Sequence, residues 1–84
     1  MKLVFLGKLA DLAGCEEHDF SASGARDWHG LSACLGRLGG DSLIEAAASD
    51  SVRVAVNGTL IADKHGLQVG EGDEVAFLPP VSGG

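Results

Sequence analysis

The chain has 84 residues, with 6 Lys and Arg against 12 Asp and Glu, for a formal net charge of −6. So short a chain supports one domain with a simple core, because folding buries only about 60–65% of its unfolded surface. Its 45% apolar and 21% charged residues exclude a disordered segment. The basic residues Lys2, Lys8, Arg26, Arg37, Arg53 and Lys64 are scattered, which sets nucleic acid aside, since phosphate backbones demand basic clusters. The acidic balance instead favours a partner with a basic docking surface, through steering more than tight binding.

Lys8 and Asp11 interrupt the apolar opening, so no secretory leader is expected. No run approaches the roughly 20 apolar residues that span a bilayer, and no membrane partner is expected. Cys15 and Cys34 then read as reduced thiols, and the expected compartment is the cytoplasm.

In chain order, Leu3-Val4-Phe5-Leu6 is apolar at every position. Such a run suits a central strand covered on both faces, or one whose outer face awaits a partner. Lys8 to Ala13 allows one or two helical turns, stopped by Gly14. Glu16 to Ser21 is polar with weak alternation and reads as an edge strand, paired in a hairpin with the first. Ser21 to Gly24 is a loop, after which Asp27 reads as a helix N-cap. Trp28, Leu31, Leu35 and Leu38 follow at spacings of 3, 4 and 3, the apolar stripe of a helix. Cys34 lies beside that stripe as a small core residue. Gly30 and Gly36 each weaken the helix by about 1 kcal/mol relative to Ala. Gly39-Gly40 ends it, and Leu43 to Ala48 predicts a second short helix capped by Asp41 or Ser42.

Val52 to Val56 alternates as a strand, and Asn57-Gly58 is a strong hairpin signal, with Thr59-Leu60-Ile61 as the return. A turn at Gly70 to Asp73 leads into a last strand, Glu74 to Leu78. Its alternation puts Val75 and Phe77 on one face, Ala76 and Leu78 on the other. The order β, β, α, β, short β, β predicts an α+β domain with a mixed sheet packed on one main helix.

Little else offers chemistry. His18, His29 and His65 lack metal-ligand spacing. Cys15, in a polar turn, reads as an exposed thiol without a positioned base. Trp28 reads as packing, and Gly70-Glu71-Gly72 lacks the remaining residues of a phosphate loop.

The informative segment is Pro79-Pro80-Val81-Ser82-Gly83-Gly84. Two prolines deny backbone donors and fix φ, so the sheet cannot continue through them. Six extended residues reach about 20 Å, and two terminal glycines suit a channel no wider than a backbone. The expected division is a folded domain over 1–78 and an extended diglycine tail over 79–84.

The run from Gly70 to Gly84 resembles the C-terminal signature of molybdopterin synthase small subunits, which are ubiquitin-like sulfur carriers. Phe5-Leu6, Leu9 to Gly14 and Val56-Asn57-Gly58 extend the similarity, while Ser82 stands where the family often has Thr. The resemblance implies a β-grasp fold and a Gly84 carboxylate adenylated by a ubiquitin-activating-type enzyme using ATP. Sulfur then displaces AMP to leave a thiocarboxylate. It implies that Pro79, Pro80, Val81, Ser82 and Gly83 enter a large synthase subunit, in a complex of two small and two large subunits. There the sulfur passes to a cyclic pyranopterin precursor during molybdenum cofactor biosynthesis. It implies apolar contacts with the large subunit at Leu6, Leu60 and Leu78, and no cofactor bound by the chain itself. Sulfur delivery to thiazole, cysteine or tRNA, conjugation of Gly84 to target lysines, and a plain interaction domain are the alternatives.

Overall fold

The computed structural model describes residues 1–20 and 27–80. The strands are β1 (Lys2–Phe5), β2 (Glu17–Asp19), β3 (Arg53–Val56), β4 (Thr59–Leu60) and β5 (Glu74–Leu78). Helices α1 (Lys8–Ala13) and α2 (Trp28–Ala48) and a 3-10 turn at Lys64–Gly66 complete the elements. The sheet order is β2-β1-β5-β3-β4. β1 and β5 run parallel, and every other pair is antiparallel, so the expected mixed sheet is present with β5 at its centre.

Local chemistry explains most boundaries. The expected first hairpin forms with Leu3 opposite His18. Asn57 and Gly58 take φ of 51° and 83°, the two positive values of a tight hairpin turn. Asp27 caps α2 by accepting the Gly30 N–H at 3.0 Å. The helical span breaks at Gly40, with φ 67° and ψ −159°, a left-handed conformation that glycine adopts readily. The two expected helices are therefore consecutive, joined by a kink.

The glycines that weaken α2 also make room. A methyl on Gly39 would overlap the Leu12 carbonyl oxygen and lie 2.7 Å from the Leu43 Cβ. On Gly36 it would meet the Ile44 Cδ1 at 3.0 Å. Both positions let α1 and the two halves of α2 close on one another at the cost of helix propensity.

The core lies between α2 and one face of the sheet. Leu3, Phe5, Val54, Val75 and Phe77 supply the sheet side, and Leu31, Leu35 and Leu43 the helix side, all fully buried. The Phe5 and Phe77 rings stack with centroids 5.4 Å apart. Trp28 packs against this core and meets His65 edge-on at 4.9 Å, so it packs as expected. Both cysteines are free. Cys34 is buried in the core, and burial pushes its thiol up, with Arg37 pulling the other way. Cys15 is half-buried against the core rather than exposed, because the turn after Gly14 folds it back.

Lys64 is one of the six scattered basic residues by sequence, and its role appears only in the fold. The side chain is buried. Its Nζ donates to the carbonyls of Ala47 at 2.9 Å, Val52 at 2.8 Å and Ser49. It thus caps the C-terminus of α2, where backbone carbonyls lack helical partners and favour a cation, and it ties α2 to the start of β3. Burial pushes the Lys64 ammonium down from its ordinary value, opposed by the charge of Asp50.

Candidate docking face and tail root

The face of the sheet away from α2 carries the residues singled out in the sequence. Register aligns Leu60, Ala55, Ala76, Val4 and Glu17 in one row across all five strands. Beside it, Arg53 sits opposite Leu78, and continuing the parallel register past Phe5↔Phe77 sets Leu6 level with Leu78. The structure therefore brings Leu6 and Leu78 together at the tail end of the face, with Leu60 at the β4 edge. Leu6 is 43% and Leu60 56% exposed, and Leu78 is half-buried.

This arrangement follows from the alternation of β5 and from Leu3 to Leu6 being apolar throughout: one parity packs under α2 and the other is left outside. Alanines form the floor, leucines the flanks. The rim is polar, with Lys2 3.3 Å from Glu17 and Glu74 opposite Lys2. Leu12 on α1 is also exposed, at 39%, and the sequence reading did not single it out. Leu9, Leu12 and Ala13 stand at the i, i+3, i+4 spacing of one helix face, so the spacing alone gives no sign that Leu12 is left outside while Leu9 and Ala13 are buried.

Asn57 braces the hairpin that carries Leu60. Its Nδ2 donates to Asp73 Oδ1 at 2.9 Å, and its Oδ1 accepts the Glu74 N–H at 3.0 Å. Asp73 also accepts the Gly70 N–H at 2.8 Å. The Asn57 bond first, then the Gly70 bond, holds the Asp73 carboxyl below its ordinary value. Two loops are thereby fixed at the start of β5.

At the other end of β5, Pro79 is half-buried and Pro80 exposed. Val81, Ser82, Gly83 and Gly84 lie outside the described residues. Among the described residues, no group of three or more His, Cys, Asp or Glu side chains is placed to hold a metal. Nor is any helix there long and apolar enough to cross a membrane.

Residues 3–84 match the ThiS family. The chain belongs to the ThiS family. It is 33% identical over 86 residues to the molybdopterin synthase sulfur carrier subunit of Escherichia coli (strain K12), an alignment spanning 100% of this chain and 99% of that protein. Among solved structures it resembles SAMP1 of Haloferax volcanii with a TM-score of 0.74 and 28% identity, covering 99% of this chain and 97% of that one. It also resembles a chain in the complex of subunits 1 and 2 of molybdopterin-converting factor from Helicobacter pylori 26695. There the TM-score is 0.63 with 26% identity, covering 99% and 96% of the two chains. The fold is the ubiquitin-like β-grasp, and the resemblance drawn from Gly70 to Gly84 holds for both family and fold.

Proposed function

We propose that this ThiS-family chain is the sulfur-carrier subunit of a molybdopterin synthase. The observation that carries the reading is the 33% identity to the Escherichia coli sulfur carrier subunit over the whole chain. An apolar outer face converging on Pro79-Pro80 supports it. In this reading residues 1–78 are the handle and 79–84 the working tail, with Gly84 as the acyl-bearing residue.

A carboxylate is a poor acyl donor, and joining it to AMP makes a mixed anhydride with a good leaving group. An adenylating enzyme of the ubiquitin-activating type supplies that step from ATP. Hydrosulfide then attacks the Gly84 carbonyl carbon, the C–O bond to AMP breaks with its electron pair leaving on AMP, and loss of the S–H proton leaves a thiocarboxylate. The large subunit, in a complex of two small and two large subunits, receives the tail and provides the acid–base groups and the pocket for a cyclic pyranopterin precursor. The carrier contributes the sulfur and, through Leu6, Leu60 and Leu78, the apolar part of the contact.

The test is co-purification from the native host with intact-mass analysis. A large-subunit partner and a terminus in which sulfur replaces one oxygen support the reading, as does loss of cofactor synthesis on deletion of Gly84. One residue appended after Gly84 is expected to abolish activity, because it removes the free carboxylate from the reach of the activating enzyme. A C-terminally extended protein with full activity would refute the mechanism. The similarity to SAMP1, whose structure is also described as small archaeal modifier protein 1, favours a second reading as a ubiquitin-like modifier. High-mass adducts linked through Gly84 to lysines of other proteins would select it.

A further inference from the structure

β1 and β5 run parallel in register from Lys2↔Glu74 to Phe5↔Phe77, which sets Gly7 level with Pro79. Two neighbouring strands heading the same way must part if only one is to leave the domain. β1 parts by a turn. Gly7 has φ 56° and ψ −131°, the Leu9 N–H donates to the Leu6 carbonyl at 3.1 Å, and the Ala10 N–H donates to the Gly7 carbonyl at 3.0 Å. These are the torsions of the first central residue of a type II′ turn, a position dominated by glycine because φ is positive. β5 parts because Pro79 and Pro80 have no N–H to offer a further ladder.

The two exits touch. A Cβ built on Gly7 would lie 3.3 Å from the Cγ of Pro79, closer than ordinary carbon–carbon packing. The Pro79 ring therefore lies where a side chain at position 7 would project. An L side chain at position 7 would strain the turn and push on that ring at once.

We infer that Gly7 is a positioning residue for the root of the tail: it leaves room for Pro79 and so sets the direction of the chain at Pro79-Pro80. The inference rests on the sulfur-carrier reading above. Gly7 touches no substrate and acts through Pro79. A tail working in another protein's site must deliver its last carbon in register, and a misplacement of about 1 Å can cost on the order of 100-fold in rate.

The sequence offers a clean test, because Cys15 follows Gly14. A synthetic 1–14 segment carrying a thioester can be ligated to a segment beginning at Cys15, placing L-alanine or D-alanine at position 7. D-Alanine accepts the positive φ, and its methyl takes the other Cα position, away from Pro79. Each full chain, as its thiocarboxylate, is mixed with the large subunit that co-purifies with the unaltered protein. Single-turnover sulfur transfer is measured at saturating large subunit, with the dissociation constant and melting temperature alongside. Gly7→Ala is expected to slow transfer about tenfold at an unchanged dissociation constant, and D-alanine to restore the rate. A folded Gly7→Ala protein that melts earlier yet transfers at the unaltered rate overturns the assignment, as does a D-alanine protein as slow as the L form. If the unaltered thiocarboxylate transfers no sulfur, it is the carrier reading that falls.

Discussion

On the covered side of the sheet, Leu3, Phe5, Val54, Val75 and Phe77 are sealed by α2 to 1% exposure or less. One residue along in the same strands, Val4, Ala76 and Leu78 are half-buried and Leu6 is exposed. The open face is apolar at Val4, Leu6, Ala55, Ala76 and Leu78 but also carries Lys2, Glu17, Arg53 and Glu74, so strand alternation here separates an apolar core from a mixed outer face. Size distinguishes them as well. Phenylalanines fill the covered side, while alanines make the centre of the open side nearly flat. At about 25 cal/mol per Å², burial on the covered side contributes most to stability, and among the described residues the open side keeps part of its apolar area exposed.

The comparison is broken most directly at Phe77, stacked on Phe5 at zero exposure. Phe77→Ala is expected to cost about 3–5 kcal/mol, measured by urea denaturation, which is much of the stability of a domain this small. Replacing Lys64 by Met strands the Ala47, Ser49 and Val52 carbonyls, and the expected loss is about 1–3 kcal/mol in the same assay. On the open face, Leu78→Glu is expected to leave stability within about 1 kcal/mol and to weaken the complex with the large subunit at least about tenfold. Unchanged affinity in calorimetric titration would remove the open face from the interface.

The smallest effect belongs to Asp73. Its folded carboxyl lies below the ordinary value, so the Asn57 and Gly70 bonds add stability above that ordinary value, about pH 3.9. The contribution is lost as pH falls through the lower folded value. Asp73→Asn should flatten the acid limb of a melting-temperature profile below that pH and leave the profile above neutral unchanged in shape.

Short-range chemistry was legible in the sequence. Asp27, Gly14, Asn57-Gly58 and the alternation of Glu74 to Leu78 each announce their element because the deciding atoms lie within a few residues. Leu6, Leu60 and Leu78 were named as a set only through the family resemblance, and the row joining Leu60, Ala55, Ala76 and Val4 needed the strand order. Lys64 was not legible, because its three acceptors lie 12 to 17 residues away and converge only when α2 meets β3. Gly39 read as a helix terminator because its tight approach to Leu12 is a tertiary fact. Gly7 was silent for the same reason: Pro79 reaches it only through the parallel pairing of β1 and β5.

That pairing has a mechanical side. The tail is rooted in the central strand of the sheet, gripped on its two flanks by parallel β1 and antiparallel β3. A tug along the tail therefore loads both ladders lengthwise, so their bonds share the force instead of peeling open one at a time. Under the proposed function, force applied to the tail enters the sheet through two ladders at once.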